Sequence, residues 1–285
     1  MYESLTFTSL GELIKEKREE FGITLSELSR RTGVSKGIIS EIEPGETKRP
    51  ELRNLKLIAD TINIPYEDII DRYINVELRI DILEAFLAEA VEIANISLLT
   101  KVAVKFLGNP KKDAFTMLEH LFNLTATFED NEAKLTLYNV IVKYARQHGV
   151  PKYIAKGLYQ KSLSREDLKR LEESFKVGEE GLHYIDFLSE DEKITFYFRM
   201  SLHAHNIKKY FKCIELCEAG VPLEENDTEL KARAYLAMIN SYSDLHNYDN
   251  VERHLEVFRK FEHDFVPEST MITQAVTKAK KKSLT

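Results

Sequence analysis

The chain has 285 residues, of which 43% are apolar and 31% are charged, and its formal net charge is −7 at pH 7. This composition is typical of a soluble globular protein that holds one small domain and one or two larger ones. No run of 18 apolar residues and no basic-then-apolar amino terminus is present, so we expect neither a membrane span nor a secretory signal. With only two cysteines, the sequence predicts a protein of the reducing cytoplasm.

Capping and turn signals divide the first 74 residues into five short helices. Ser9 with Glu12, and Thr24 with Glu27, are capping boxes that predict the starts of the first two helices. Gly33 provides the left-handed backbone position that ends the second helix. The predicted helices span about residues 10–22, 25–32, 36–43, 51–63 and 65–74.

The third of these helices has two different faces. A rotation of 100° per residue places Ile38, Ile39 and Ile42 on one side, which we expect to be buried. The opposite side carries a charge, a hydroxyl, an acid and a glycine that permits close approach. Its residues are Lys36, Gly37, Ser40 and Glu41. Such a face suits the major groove of DNA, where base edges present hydrogen-bond donors and acceptors.

Positive charge in this part of the chain is clustered. Residues 1–74 carry 11 Lys and Arg against 14 Asp and Glu, a net charge of −3. The clustered positive residues are Arg30, Arg31, Lys36, Lys48, Arg49, Arg53 and Lys56. Those after the third helix are placed to meet phosphates. Because phosphate contacts are few, we expect salt-dependent binding by a homodimer.

The spacing of many residues across positions 10–74 follows a family pattern. These residues are Leu10, Gly11, Ile14, Arg18, Thr24, Leu28, Gly33, Ser35, Ile39, Ser40, Ile42, Glu43, Gly45, Pro50, Leu55, Ile58, Ala59 and Ile64. The stretch resembles the helix-turn-helix domain of the lambda-repressor/Cro-like (XRE) family. Leu25 departs from the family's usual phosphate-contacting Gln, and Pro44 replaces a small polar or basic residue. We therefore predict DNA contacts from Ser35, Lys36, Gly37, Ser40, Glu41, Lys48, Arg49 and Arg53.

Beyond residue 74 the pattern stays helical, with no alternating strand run and no hairpin signal, so the predicted fold class is all-α. A long apolar stripe covers residues 80–94, and a capping box at Ser189 and Glu192 opens a late helix. Further helices are predicted near residues 113–122, 132–147, 152–159 and 165–180. Breaks or turns are predicted at residues 108–110, 149–151 and 220–222. The two predicted domains are residues 1–74 and 75–285.

Two helical hairpins near the carboxyl end are predicted to be repeats 41 residues apart. In this alignment His205-Asn206 and His246-Asn247 occupy equivalent turns. The apolar pairs at the same offset are Ile207 with Tyr248, Tyr210 with Val251, Ile214 with Leu255, and Cys217 with Phe258. A hairpin of this length cannot bury its apolar face alone, so we predict a tetratricopeptide-like (TPR-like) helical-repeat solenoid. Its groove, lined by the first helix of each hairpin, would suit an extended peptide.

Segments within residues 130–262 follow a second family pattern. They are LSREDLKRLEESFKVGEEGLHYIDFLSEDEKITFYFRMSLHAHN and KARAYLAMINSY, with Arg233, Tyr235 and Asn240 at the family's spacing. The chain thus resembles the RRNPP peptide-sensing regulators of Gram-positive bacteria and their mobile elements. Among these it is similar to the arbitrium receptors with which phages decide between lysis and lysogeny. Because such receptors usually carry further repeats, this chain is expected to be either a short receptor or a truncated one.

This resemblance implies a short signalling peptide as ligand. Asparagine amides pair with an extended backbone, and arginines pair with carboxylates. We therefore predict peptide contacts from Asn139, Arg199, Arg233 and Asn240. The alternative is that Arg199 and Arg233 pair with glutamates on neighbouring helices and that Asn240 faces solvent.

Catalytic and metal sites are weakly indicated. Cys213 and Cys217, with His203 and His205 nearby, could suggest zinc, but the cysteines follow the apolar rhythm and are predicted to be core residues. No Gly-rich phosphate loop, nucleophile elbow or HExxH motif is present, so we expect no enzyme and no cofactor.

Two functional hypotheses remain. One is a sequence-specific DNA-binding transcriptional regulator controlled by a short peptide. The other is a peptide-independent repressor or adaptor whose helical domain serves only dimerisation or protein contacts. A five-helix interaction module that never meets DNA is a weaker third reading of the first 74 residues.

Overall fold

The computed structural model describes residues 9–47, 50–74, 79–163 and 168–258. Within these ranges the chain has 15 α-helices, two short 3₁₀ helices and no strand, which confirms the predicted all-α class. The chain divides into two compact units, residues 1–140 and 141–285. The domain boundary at residue 74 stays a prediction.

Eight helices lie in the first unit, a ninth runs across the division, and six lie in the second unit, among the residues described. The first eight are α1 Leu10–Glu20, α2 Leu25–Thr32, α3 Lys36–Ile42, α4 Leu52–Thr61, α5 Tyr66–Tyr73, α6 Ile80–Glu92, α7 Ile96–Leu107 and α8 Ala114–Thr127. The others are α9 Asn131–Gln147, α10 Pro151–Ser162, α11 Leu168–Leu182, α12 Glu190–Asn206, α13 Tyr210–Gly220, α14 Glu229–Asp244 and α15 Tyr248–Phe258. The start predicted for α11, at residue 165, lies outside the described residues.

Local capping sets the starts of α1 and α2. At α1, Glu12 N donates to Ser9 Oγ at 3.2 Å and Ser9 N donates to Glu12 Oε2 at 2.6 Å, which completes the predicted capping box. At α2, Glu27 N donates to Thr24 Oγ1 at 3.2 Å, but the Glu27 carboxylate binds two arginines of its own helix. Only the Thr24 half of that predicted box is therefore present. One cap oxygen is enough to satisfy an amide that a helix start leaves free.

The core of the helix-turn-helix is apolar and almost fully buried. Its residues include Ile14, Leu28, Ile39, Ile42, Leu55, Ile58, Ala59, Ile69 and Tyr73. The prediction that Ile38 is buried was wrong, because this side chain is 39% exposed. The buried stripe of α3 runs through Ile39, Ile42 and Glu43, and Ile38 lies about a quarter turn outside it.

The fifth helix of this motif packs on the helices that follow it within the first unit. The Tyr73 ring meets the Phe86 ring of α6 edge-to-face, with centroids 5.8 Å apart. Lys101 Nζ of α7 lies 2.6 Å from Asp71 Oδ1 of α5. The Tyr73 hydroxyl also donates to Pro50 O at 2.7 Å, which closes the loop before α4 against α5.

The apolar stripe predicted over residues 80–94 ends sooner than expected, and a further helix follows it. Ala94 has a left-handed φ of 52° that stops α6. Asn95 then caps α7, because its Oδ1 accepts from Leu98 N at 2.9 Å. The sequence analysis missed α7, although an asparagine before a long apolar run is a helix-start signal.

Helical hairpins make up much of the second unit. The α12–α13 hairpin is followed by the α14–α15 hairpin, and α14 packs against both helices of the first pair. An apolar cluster lies between them, with Phe198, Ile214, Cys217, Tyr235, Met238, Ile239, Val251, Leu255 and Phe258. Each hairpin thus buries its apolar face on its neighbour, and the predicted TPR-like repeat is confirmed.

The register of these repeats differs from the predicted one. The left-handed turn residues are Lys208, with φ of 62°, and His246, with φ of 61°. Their amides make the same bonds to the preceding helix, from Lys208 N to His205 O and from His246 N to Ser243 O. The structural offset is therefore 246 minus 208, or 38 residues, instead of 41. The His-Asn match misled the alignment, because His205 lies inside α12 whereas His246 follows the end of α14.

Candidate DNA-binding interface

The turn between α2 and α3 fixes how α3 is presented. Gly33 has a φ of 74°, a conformation that glycine adopts without strain. Thr32 Oγ1 donates to Leu28 O at 2.8 Å and accepts from Val34 N at 3.1 Å. One buried hydroxyl therefore joins the last turn of α2 to the segment that leads into α3.

A buried ion pair anchors the end of α3 to α1. Arg18 Nε donates to Glu43 Oε1 at 2.6 Å, and Arg18 Nη2 donates to Glu43 Oε2 at 2.9 Å. Arg18 Nη1 also donates to Ile23 O at 3.0 Å. The bonds to Glu43 raise the pKa of the Arg18 guanidinium above its ordinary value. A bidentate pair has a fixed geometry, so it sets the position of α3 on α1.

The backbone of α1 comes unusually close to the end of α3 at Gly11. A Cβ atom on Gly11 would lie 2.2 Å from Ile42 O and 2.5 Å from Glu43 O. Both neighbours are backbone atoms that cannot rotate away. The approach therefore requires glycine, and the placement of α3 depends on a residue outside it.

The face of α3 predicted to read DNA is exposed. The exposed residues are Ser35, Lys36, Gly37, Ser40 and Glu41. Ser35 Oγ accepts from Ile38 N at 3.3 Å and caps the helix, and Ser40 Oγ donates to Gly37 O at 3.0 Å. Glu41 Oε2 accepts from Thr47 Oγ1 at 3.2 Å, which ties this carboxylate to the following loop. The sequence analysis missed Thr47, because a six-residue separation matches no helical or strand period.

The predicted phosphate contacts have mixed outcomes. Arg53 is exposed in the first turn of α4, whereas Lys48 and Arg49 lie outside the described residues. Lys56 was wrongly included, since its Nζ lies 3.8 Å from Glu89 Oε1 of α6 and 5.2 Å from the centre of the Tyr66 ring.

Arg30 and Arg31 are largely neutralised by one acid. Both guanidinium groups bind the Glu27 carboxylate, with Arg31 Nε 2.8 Å from Glu27 Oε1. The hydrogen bond from Arg30, followed by that from Arg31, lowers the pKa of Glu27. Glu27 therefore stays ionised and the three side chains together carry a single positive charge. The face available to phosphate is less basic than the count of arginines suggests.

Known proteins share this helical arrangement. The family model described as helix-turn-helix matches residues 14–69. The HTH-type transcriptional repressor RghR of Bacillus subtilis (strain 168) is 32% identical over 136 residues, covering 44% of this chain and 94% of RghR. The chain belongs to the XRE-type helix-turn-helix family of DNA-binding transcriptional regulators. Regulation of transcription is a non-enzymatic role, in agreement with the prediction.

Two further proteins resemble this regulator. The HTH-type transcriptional regulator SinR of the same Bacillus subtilis strain is 31% identical over 62 residues, covering 22% of this chain and 56% of SinR. The crystal structure of Bacillus thuringiensis PlcR in complex with the peptide PapR7 and DNA aligns over 97% of this chain and 99% of PlcR. Its sequence identity is 15% and its TM-score is 0.31, too low for a residue-by-residue superposition.

The residues predicted to bind peptide lie on three helices of the regulator. Arg199 is half-buried on α12, and among the described residues its Nε is buried without a hydrogen-bond partner. Arg233 and Asn240 lie two turns apart on one face of α14, the first exposed and the second half-buried. Asn139 is exposed on α9 and belongs to the first unit. No geometric relation between Asn139 and the other three is established.

Two of the alternative interpretations can be compared with the contacts. Arg233 Nη1 lies 3.7 Å from Glu229 Oε1, one turn earlier on its own helix and not on a neighbouring helix. The acid nearest to the Arg199 region, Glu192, instead accepts from Lys156 Nζ of α10 at 3.0 Å. The sequence analysis missed this Lys156–Glu192 pair because the two residues are 36 positions apart.

Tyr159 lies beside Arg199 and lines the same part of the second unit. It is buried on α10 and packs edge-to-face on Phe196 of α12, with centroids 5.2 Å apart. Burial raises the pKa of the Tyr159 hydroxyl, and the neighbouring Arg199 charge opposes that shift. The environment of Arg199 is therefore partly apolar and holds a neutral phenol.

The cysteines of this regulator are core residues, as predicted. Cys213 and Cys217 are fully buried, and burial raises the pKa of the Cys213 thiol to about 11. Both thiols stay neutral and pack as small apolar side chains. In the ranges that the structure describes, no cluster of three or more metal-ligating side chains is found. In the same ranges, no helix is long and apolar enough to cross a membrane.

Proposed function

We propose that this regulator reads a specific DNA duplex with α3 and that a short peptide, bound by residues of its helical-repeat part, controls its affinity for that duplex. The observation that carries the proposal is the exposed polar face of α3, held in place by Gly11 and by the Arg18–Glu43 pair. In this proposal the protein works in the cytoplasm as a homodimer, in the manner of quorum-sensing or phage lysis–lysogeny switches.

The chemistry of the α3 face suggests which bases it reads. Lys36 donates hydrogen bonds and suits guanine O6 and N7, whereas the Glu41 carboxylate accepts and suits the cytosine amino group. The bond from Thr47 engages one carboxylate oxygen of Glu41 and orients the group before DNA binds. Arg53, Lys48 and Arg49 contact phosphates and set the register of the helix in the groove.

The peptide assignment rests on groups with incomplete partners. The buried Arg199 Nε lacks an acceptor among the described residues, and an unpaired buried donor is unfavourable. A carboxylate of the peptide would supply that acceptor. The Arg233–Glu229 distance of 3.7 Å is that of a weak exposed ion pair, so a ligand carboxylate can replace it. The amides of Asn240 and Asn139 can both donate to and accept from a peptide backbone.

Calorimetry of the full chain with short peptides encoded beside its gene tests this function, with DNA affinity measured in parallel. We expect one peptide to change operator affinity roughly 5–150-fold, the usual range of allosteric coupling. Arg233→Ala should abolish that response and leave peptide-free DNA binding intact. The control is Arg253→Ala, an exposed arginine on α15 outside the predicted site, which should respond like the wild type.

The outcomes of this experiment are distinct. A normal peptide response in Arg233→Ala would show that the pocket is assigned to the wrong residues. A regulator whose DNA affinity no peptide alters would be a peptide-independent repressor or adaptor. Failure to protect any site in the source genome would remove the DNA-reading role itself.

One observation favours the peptide-independent alternative. Phe211 on α13 is 77% exposed, and a large exposed aromatic side chain is typical of protein contact surfaces. In that case the helical part holds a second copy or another protein. Light scattering of Phe211→Ser beside the wild type decides between the two. Loss of a wild-type dimer would place the contact at α13, whereas an unchanged dimer would exclude Phe211 from it.

A further inference from the structure

Ile38 is an apolar side chain on the exposed surface of an otherwise polar reading helix. It is 39% exposed, whereas Ile39 and Ile42 on the same helix are at most 2% exposed. It therefore contributes little to the core that holds α3 in place. Its exposure calls for an explanation on the solvent side of the helix.

The neighbours of Ile38 place it at the margin of the reading face. It follows Lys36 and Gly37 directly, and it lies one helical turn before Glu41 and Ile42. Gly37 has open space around it, since an added Cβ would meet only Ser35 Oγ at 4.0 Å. No side chain at position 37 therefore screens Ile38 from a surface that approaches the start of α3.

The major groove offers one apolar group to such a side chain. Among the base edges exposed there, only thymine carries a methyl group, at C5, and apolar side chains recognise it by contact. We propose, resting on the proposed DNA-reading function, that Ile38 contacts a thymine C5-methyl group and makes the operator specific for thymine at one position. Lys36 and Glu41 supply polar readout of other base pairs, and Ile38 supplies the apolar one.

Replacing thymine with uracil tests the contact, because uracil lacks only the methyl group and keeps every hydrogen-bonding atom. The probe is a duplex selected by the full-length protein from a random library, with each thymine replaced singly by uracil. For the wild type, one position should weaken binding about fourfold, the effect of removing one buried methyl group. For Ile38→Ala the ratio of affinities for thymine and uracil duplexes at that position should fall to about one.

Leu57→Ala is the matched control, since Leu57 is 37% exposed on α4, away from the reading face. It should keep the wild-type thymine preference. Equal affinity of the wild type for every uracil duplex would overturn the inference and leave DNA reading intact. A fourfold loss that persists in Ile38→Ala would assign the methyl contact to another residue. A protein that selects no duplex at all would overturn the proposed function together with the inference.

Discussion

The exposed face of α3 and the predicted peptide residues on α12 and α14 are held in different ways. The α3 face is positioned by residues that lie outside it, Gly11 and Arg18 on α1 and Thr32 in the preceding turn. On α14, by contrast, Arg233 is approached only by an acid of its own helix among the contacts described. Positioning and contacting residues are therefore separate at α3, whereas at α14 the contacting residue has little structural work.

This difference has a practical meaning for mutagenesis. At the DNA interface, loss of binding can arise from a misplaced helix or from a lost contact, and only stability measurements separate the two. At the peptide site, a substitution should change ligand response without changing the fold. The following predictions, ordered by expected effect, test whether the two sites differ in this way.

The largest effect is expected for Glu43→Ala. The substitution leaves the Arg18 guanidinium buried without its carboxylate, and breaking a buried pair costs about 3–5 kcal/mol in free energy of unfolding. Urea denaturation of the full chain measures it. Glu41→Ala on the exposed side of α3 is the control and should change stability by less than ~0.5 kcal/mol. Equal losses in the two variants would contradict the anchoring role of Glu43.

Gly11→Ala should have the next largest effect on stability. The new Cβ would collide with two backbone carbonyls, and such overpacking costs roughly 1–3 kcal/mol. Gly37→Ala is the matched control, because its Cβ would meet only Ser35 Oγ at 4.0 Å. There the lower freedom of the unfolded chain should add about 0.4–1 kcal/mol of stability. Thermal unfolding of both variants gives the comparison, and a stable Gly11→Ala protein would show that α1 and α3 can separate at this point.

Arg233→Ala should have the smallest effect. Its side chain is exposed and its ion pair is long, so stability should change by less than ~0.5 kcal/mol. Lys231→Ala, two positions earlier, is the contrast, because Lys231 is buried and its Nζ donates to Glu224 O, Asn226 O and Asp227 Oδ1. Loss of these bonds should cost about 1–3 kcal/mol. If Arg233→Ala were the more destabilising change, the separation of roles on α14 would be wrong.

Local signals in the sequence predicted local structure well. The starts of α1, α2 and α3 depend on a cap residue and an amide three positions away, so a short window contains the whole interaction. The family pattern that includes Gly11, Arg18 and Glu43 indicated the helix-turn-helix. It gave no reason for those residues, because the contacts between them form only when α1 and α3 meet.

The errors came from interactions between distant residues. Ile38 seemed buried because a helical wheel shows neighbours on one helix and not the direction of the packing partner. Lys56 seemed available to phosphate because Glu89 and Tyr66 lie on other helices. The repeat offset failed because a left-handed turn can be formed by Lys208 or by His246, and no residue type marks it.

Such turns have an energetic consequence for the regulator. Asn63, Ala94, Lys208 and His246 all adopt positive φ values and all follow the end of a helix. A non-glycine residue in this conformation costs on the order of 1–2 kcal/mol, which is released when the turn opens. Strain is thus concentrated at the joints between helices and not within them. Local opening at a joint therefore needs less free energy than its packing alone would require, which brings it closer to the free energies that ligand binding supplies.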